Sequence, residues 1–217
     1  MIDTKAEKIQ YGITWVIRLT LILAIIIGIL KTNLWTISFA TLTLLLSFLP
    51  AMIKKNLKVD FPIEFELVVT IFIYLSIFAG ETLSFYHTFW WWDIMLHAMS
   101  GFILALIGFM IVYAITLYTK TKMTPIIVAI FTFSFALAIG AIWEIFEWVV
   151  DLIFKTQMQG GSLFDTMFDL VLDTIGAVII SILAYLHTKK GDSRVINKLI
   201  CRFLEENPHL RKKQKKC

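Results

Sequence analysis

Charged residues are scarce in this sequence. Asp, Glu, Lys and Arg together make up 17% of its 217 residues, whereas about a quarter is usual for a globular chain. Hydrophobic residues make up 59%, and the mean hydropathy is +0.81. A soluble core of this size cannot bury so much apolar surface. The composition excludes disordered, collagen-like and disulfide-stapled secreted proteins and predicts an all-α, polytopic membrane helix bundle.

Several common site motifs are also missing. The two cysteines, Cys201 and Cys217, both lie in a lysine-rich tail, so neither a disulfide framework nor a thiolate metal site is predicted. The sequence has no glycine-rich phosphate loop, no nucleophile elbow and no His-Glu-x-x-His motif. Chemistry in this protein must therefore come from other residue types.

What the sequence has instead is a series of long apolar runs. Six of them reach or approach the roughly 20 residues that cross a bilayer as a helix: residues 12–30, 34–53, 65–85, 93–118, 125–150 and 169–187. We predict a single six-helix transmembrane domain over residues 1–187, followed by a basic tail over residues 188–217. The first run lacks a small-x-small cleavage site and is interpreted as a retained signal-anchor helix.

The distribution of Lys and Arg predicts the orientation. The N-terminus, the second and fourth loops and the tail are positive, while the other loops hold only Lys31 and Lys155. By the positive-inside rule, both termini lie in the cytoplasm and the chain is a multi-pass protein of the cell (inner) membrane. Arg18, inside the first span, is interpreted as a structural residue that snorkels toward the membrane surface.

The tail has apolar residues at helical spacing between basic ones. Residues 192–206 are predicted to form an amphipathic helix on the inner leaflet that ends before Pro208. The basic run from Arg211 to Lys216 would then contact anionic lipid headgroups. A solvated basic tail is the open alternative. Because the net charge of +4 comes from this tail and the cytoplasmic loops, nucleic acid is not predicted as a partner.

Half of the acidic residues fall on or near the predicted outer side. We call them the outer carboxylates: Glu81, Asp93, Glu144, Glu147, Asp151, Asp165, Asp169 and Asp173. Most recur at intervals of three or four residues, which places each set on one helix face, and His97 follows Asp93 by four. At 1.5 Å per residue the deepest of them lie roughly 10–12 Å into the membrane. Asp165 is predicted to cap its helix together with Ser162.

No Lys or Arg lies at that depth to neutralise these carboxylates, and an isolated charge there costs about 2.5–3.5 kcal/mol. A bound cation, shared protons or a water-filled cleft would each solve the problem. Carboxylates with one histidine suit Mg²⁺, Mn²⁺, Ca²⁺ or Zn²⁺; a three-histidine zinc site is excluded because His187 and His209 fall on the cytoplasmic side. The predicted metal ligands are Asp93, Glu147, Asp169 and Asp173. The predicted catalytic residues are His97 and Glu144. The predicted substrate-binding residues are Trp92, Trp143, Trp148 and Asp151. The pair Ser100-Gly101 is interpreted as allowing close helix packing.

The order of these motifs resembles a known family. Trp91-Trp92-Asp93-Ile-Met-Leu-His97, then Trp143-Glu144-Ile-Phe-Glu147-Trp148, then Asp169-Leu-Val-Leu-Asp173-Thr-Ile-Gly176, is similar to the YjdF-like family of small bacterial inner-membrane proteins. More distantly it resembles VanZ-like proteins, which are associated with glycopeptide (teicoplanin) resistance. This chain has Glu147 where the VanZ-like pattern has Gln, and Asp173 where it has Asn. Over residues 65–187 the resemblance implies an outward-facing polar site but no particular reaction.

Three functions remain open from the sequence. The first is a metal-dependent hydrolase or transferase acting on a lipid-linked or cell-envelope substrate, with His97 as general base or further ligand. The second is a non-catalytic envelope component that binds lipid or a partner. The third is a proton- or cation-coupled transporter, against which the acidic residues end about a third of the way through the membrane.

Overall fold

Helices form nearly all of the chain that the structure describes. The structure, a computed structural model, describes residues 5–49, 52, 62–119, 121–190 and 194–207. In chain order the helices are α1 (Lys5–Leu30), α2 (Leu34–Leu46), α3 (Ile63–Ile73) with a π-helical continuation (Tyr74–Thr82), α4 (Phe85–Thr88), α5 (Trp92–Thr119), α6 (Pro125–Phe154), α7 (Leu163–Lys190) and α8 (Arg194–Glu206). No strand occurs in these residues, so the all-α class is confirmed.

Five of the described helices are long and apolar enough to cross a membrane. They cover Lys8–Leu30, Glu64–Thr82, Trp92–Thr119, Pro125–Phe154 and Leu163–Lys190. The chain is therefore a polytopic helical membrane protein. Of the lysines in the second and fourth loops, Lys122 is described, whereas Lys54, Lys55, Lys58 and Lys120 lie outside the described residues.

The second predicted span differs in length from the prediction. Its helix covers 13 residues, Leu34–Leu46, which makes about 20 Å at 1.5 Å per residue, against a hydrocarbon layer of about 30 Å. A turn follows at residues 47–48. Leu49 and Met52 are again helical, and the Met52 N–H donates to the carbonyl oxygen of Phe48 at 3.0 Å.

Residues Met1–Trp92, with Glu205–Asn207, form one compact unit. Its core includes Leu21, Ala24, Ala40 and Phe78. Arg18 joins α1 to the end of α2, because its Nη2 donates to the carbonyl oxygen of Ser47 at 3.0 Å and its Nε donates to Ser47 Oγ at 3.2 Å. The guanidinium also lies 4.0 Å from the ring centroid of Phe48. A cation is favourable at a helix C-terminus, so Arg18 is a structural residue, as predicted.

An aromatic cluster ends this first unit. The rings of Phe85 and Trp92 meet edge to face with centroids 4.8 Å apart, and those of Trp91 and Trp92 lie 5.6 Å apart. Trp92 is buried, whereas Trp90 is 82% exposed. Exposed tryptophan beside buried tryptophan is typical of an aromatic belt at a membrane interface.

The second unit, Asp93–Leu204, contains α5, α6 and α7. Small residues let these helices approach closely, since Ala105, Ala136 and Ala177 form a shared buried core. A Cβ added to Gly176 of α7 would lie 2.8 Å from the backbone nitrogen of Phe102 on α5. Packing through glycine and alanine is usual between membrane helices. It confirms that the Ser100-Gly101 stretch serves close packing.

The predicted amphipathic helix of the tail is present as α8. Its apolar residues Ile196, Ile200 and Phe203 are 0%, 6% and 0% exposed. These side chains are therefore buried within the protein, and the position of the helix at the inner leaflet stays a prediction. Pro208 and the basic run from Arg211 to Lys216 lie outside the described residues, and their contact with anionic headgroups stays a prediction.

Candidate functional site

Three helices of the second unit carry the candidate site. Asp93 and His97 lie one turn apart at the start of α5, Glu144 lies near the end of α6, and Asp169 and Asp173 lie near the start of α7. Because α5 and α7 run from the site while α6 runs toward it, all five residues fall at one end of the bundle. The sequence predicted matching levels for these residues on neighbouring helices, and their depth below an outer membrane surface stays a prediction.

His97 is the centre of the site. Its Nε2 lies 3.6 Å from Asp93 Oδ1 and 3.8 Å from Glu144 Oε1, and its Nδ1 lies 3.5 Å from Asp173 Oδ2. The imidazole therefore faces carboxylates from all three helices. These separations exceed the 2.7–3.2 Å of a hydrogen bond, so the groups are close without being paired.

Asp93, His97 and Asp169 form the most compact set in the described chain, and we call them the ligand group. Each offers one ligand atom, and the three atoms lie within 4.8 Å of one another. His97 and Asp169 are buried, while the Asp93 side chain keeps 30% of its surface exposed. The ligand group is thus closed on its inner side and reachable on the side of Asp93.

Several polar atoms of the site are buried without a hydrogen-bond partner among the described residues. They include both carboxylate oxygens of Glu144, Nδ1 of His97 and Oδ2 of Asp173. α5 and α6 contain no Lys or Arg, and α7 has Lys only at Lys189 and Lys190 in its last turn. A buried polar group without a partner is costly. The site therefore has buried oxygen and nitrogen atoms without hydrogen-bond partners, and neither Lys nor Arg of α5, α6 or α7 lies near it to supply a permanent positive charge.

The other acidic residues at this end have structural contacts. Asp151 Oδ1 accepts hydrogen bonds from Thr156 Oγ1 at 2.6 Å and from the Met158 N–H at 2.8 Å. Its Oδ2 accepts from the Gln159 N–H at 3.1 Å. Asp151 thus organises the loop between α6 and α7, and the substrate-binding role predicted for it stays a prediction.

The Ser162 half of the capping box predicted for Ser162 and Asp165 is present. The backbone N–H of Asp165 donates to Ser162 Oγ at 3.2 Å, which satisfies one of the free N–H groups at the start of α7. The loop before it turns through Gly160 and Gly161 at φ +56° and +72°, in the left-handed region that glycine adopts readily. This turn sets the start of α7 and hence the position of Asp169 one turn later.

The remaining predicted site residues are spread more widely. Glu147 is buried one turn from Glu144, but Glu147 and Asp173 lie outside the ligand group. Trp143 is half-buried and Trp148 is 54% exposed, both on α6. Trp92 belongs to the aromatic cluster of the first unit. Substrate binding by these tryptophans stays a prediction.

The structure adds three residues to the site that the sequence analysis did not assign to it. Ser100 Oγ is hydrogen-bonded to Asp173 Oδ1, and Gly140 of α6 abuts the Asp173 carboxylate. Gln159 Nε2 donates to Thr166 Oγ1 at 2.9 Å and lies 3.5 Å from the carbonyl oxygen of Glu144. For Gly140 a signal existed, since it stands one helical turn before Glu144 on the same face.

Comparison with known proteins identifies the family. A family model described as "Predicted membrane protein (DUF2238)" matches residues 13–190. The chain belongs to this family. It is also similar to an "Uncharacterized protein" of Thermotoga maritima, with 26% identity over 140 residues that cover 64% of this chain and 70% of the relative. No solved structure matches. The matched residues contain all of α5, α6 and α7. The family match therefore includes the whole candidate site.

Proposed function

We propose that this member of the DUF2238 family binds a divalent cation between α5, α6 and α7. The observation that carries the proposal is the burial of Glu144 with both carboxylate oxygens unpartnered, next to the ligand group. A cation held by the ligand group would place a positive charge beside the Glu144 carboxylate. Intramembrane ionisable residues are functional sites by default, which supports the same conclusion.

The spacing of the donor atoms fits an ion. Two ligands on opposite sides of a cation are about 4.2 Å apart for metal–ligand distances near 2.1 Å, and about 4.8 Å for distances near 2.4 Å. The ligand atoms of Asp93, His97 and Asp169 lie within 4.8 Å of one another. On α6, Glu144 offers a further oxygen near this group, because its Oε1 lies 3.8 Å from His97 Nε2.

The donor types narrow the choice of ion. Two carboxylates and one imidazole, without any thiolate, suit hard or borderline divalent cations such as Mg²⁺, Mn²⁺, Ca²⁺ or Zn²⁺. With three protein ligands, coordination positions remain for water or substrate, as in catalytic rather than structural sites. The exposed side of Asp93 is the route by which either would reach the ion.

We propose a metal-dependent hydrolase or transferase as the activity of this site. A cation held by the ligand group would activate a water molecule or polarise a phosphoryl or carbonyl oxygen. Glu144 is placed to act as general base, because its oxygens are free and 3.8 Å from His97. A site that opens at one end of a membrane bundle suits a lipid-linked or cell-envelope substrate. The resemblance to YjdF-like and VanZ-like proteins supports an envelope role, and the charge pattern of the loops supports an inner-membrane location with cytoplasmic termini.

Metal analysis of the purified protein tests the cation site. The wild type is expected to retain about one divalent ion per chain, and Asp169→Asn is expected to lose it. Asp165→Asn is the matched control, because Asp165 lies one turn earlier on the same helix and near the helix cap rather than in the ligand group. Equal metal content in all three proteins would place any bound ion elsewhere. A wild type without metal under saturating conditions would refute the cation site.

Two further measurements separate the remaining functions. Metal-dependent turnover of added lipid-linked substrates, lost in Glu144→Gln while the metal is retained, would identify an enzyme. Stoichiometric metal without turnover would favour the non-catalytic envelope component. Cation flux across liposomes, abolished by Asp169→Asn, would identify a transporter and contradict the proposed activity.

A further inference from the structure

The two oxygens of Asp173 have different surroundings. Oδ1 is hydrogen-bonded to Ser100 Oγ, and this hydroxyl is itself fixed because it lies 2.7 Å from the carbonyl oxygen of His97. Oδ2 lies 3.5 Å from His97 Nδ1. Ser100 and His97 are three residues apart on α5, so one carboxylate of α7 contacts two side chains on one face of α5. Asp173 thereby ties the two helices together beside the histidine.

The two nitrogens of His97 also have different surroundings. Nδ1 faces Asp173, whereas Nε2 faces Asp93 Oδ1 at 3.6 Å and Glu144 Oε1 at 3.8 Å. A neutral imidazole carries its proton on one nitrogen and offers the other as a ligand. In metal sites the N–H is commonly held by a carboxylate, which fixes the ring orientation and the tautomer. The geometry around His97 matches this division.

Packing holds Asp173 in that place. A Cβ added to Gly140 would lie 2.5 Å from Asp173 Oδ2, and one added to Gly101 would collide with the backbone of Asp173. The residue is 1% exposed, and it is absent from the ligand group. Its carboxylate is thus confined between α5 and α6, on the Nδ1 side of the imidazole.

We propose that Asp173 is a positioning residue rather than a metal ligand: when the cation is bound, its Oδ2, which lies 3.5 Å from Nδ1 in this structure, accepts the Nδ1–H of His97 so that Nε2 points to the cation. Ser100 fixes the second oxygen of Asp173 and thereby its rotamer. This inference rests on the proposed cation site, and it replaces the ligand role that the sequence predicted for Asp173. It also gives Asp169 and Asp173 different functions, although they lie one turn apart on the same face of α7.

The pair Asp169→Asn and Asp173→Asn tests the division of roles. With Zn²⁺ as the probe ion, Asp169→Asn is expected to lose stoichiometric binding. Asp173→Asn keeps an oxygen that can accept from Nδ1–H and is expected to retain one ion per chain. Asp173→Ala removes that acceptor and is expected to weaken binding about 10–100-fold, as for other outer partners of metal-bound histidines. Loss of the ion in Asp173→Asn to the same degree as in Asp169→Asn would overturn the proposal.

Nitrogen NMR of histidine-labelled protein supplies a readout that a merely structural role would not change. The His97 signals, identified with a His97→Gln variant, are expected to show protonated Nδ1 in the wild type and in Asp173→Asn, and a mixed or reversed tautomer in Asp173→Ala. If the wild type binds no Zn²⁺, the cation site fails, and the tautomer of the metal-free protein then tests Asp173 alone. A His97 tautomer that Asp173→Ala leaves unchanged would overturn the positioning role in either case.

Discussion

Replacing Gly176 by alanine tests whether the close crossing of α5 and α7 holds the site together. The new Cβ would lie 2.8 Å from the backbone nitrogen of Phe102, and 2.9 Å from the carbonyl carbon of Gly101. Both neighbours are backbone atoms, so no flexible side chain can move aside. The helices themselves must separate at this point.

The size of the effect follows from these distances. Ordinary contact begins at 3.4 Å, so relief of the shortest approach, 2.8 Å, requires a separation of about 0.6 Å. Overpacking of this kind typically costs about 1–3 kcal/mol. Metal–ligand distances tolerate changes of only about 0.2 Å, and Gly176 lies two turns from Asp169 on the same helix. We therefore expect Gly176→Ala to lower both the stability and the metal affinity, the latter at least tenfold.

Thermal unfolding in detergent and Zn²⁺ titration measure the two effects on one preparation. Gly12→Ala is the matched control, because Gly12 lies within α1 and a Cβ there would meet no atom within 4 Å. It is expected to leave metal binding unchanged and to be neutral or stabilising, since alanine favours helix over glycine by up to about 1 kcal/mol. The reasoning is refuted if Gly176→Ala behaves like Gly12→Ala in both measurements.

Three other predictions follow from particular contacts. Arg18→Leu removes two hydrogen bonds to Ser47 and is expected to cost about 1–3 kcal/mol in thermal unfolding without changing the metal content; an unchanged unfolding temperature would contradict the structural role. Asp151→Ala frees the loop after α6, so trypsin should cleave at Lys155 faster than in Asp151→Asn, which keeps part of the hydrogen bonding. A cysteine placed at the exposed Gln157 of a cysteine-free variant should react with an impermeant maleimide on intact cells; reaction only after lysis would reverse the predicted orientation.

The architecture was largely predictable because membrane helices leave a strong composition signal. Every span predicted from hydropathy contains a helix, and the ends of α5 and α6 fall within a few residues of those expected. The signal is weaker where a helix stops inside an apolar run. Residues 47–49 are as apolar as a span requires, and the stop of α2 depends on the turn at Ser47 and its bond to Arg18. A hydrogen bond between two helices, such as that from Arg18 to Ser47, leaves no periodic pattern in the sequence.

The sequence predicted which residues form the candidate site better than it predicted the role of each residue. Helical spacing placed Asp93, His97, Glu144, Asp169 and Asp173 at one end of the bundle, because depth follows from the rise per residue. Spacing alone cannot give the rotation of one helix against another, which decides that Asp169 joins the ligand group and Asp173 faces Nδ1 of the histidine. The tail shows the same limit, since the amphipathic pattern predicted α8 but not the partner of its apolar face.

The structure beyond the site favours a resident cation over a transported one. One to two turns further along the helices, α5, α6 and α7 meet through Ala105, Ala136 and Ala177, which are 0%, 1% and 0% exposed. The next buried hydroxyl group on α7, Ser181 Oγ, donates to a carbonyl oxygen of its own helix at 2.7 Å. Between Asp173 and His187, within the described part of α7, no Asp, Glu, His, Lys or Arg occurs. A transported ion would need replacement ligands along this path, whereas the resident ion proposed above needs access only from the side of Asp93, whose side chain is 30% exposed.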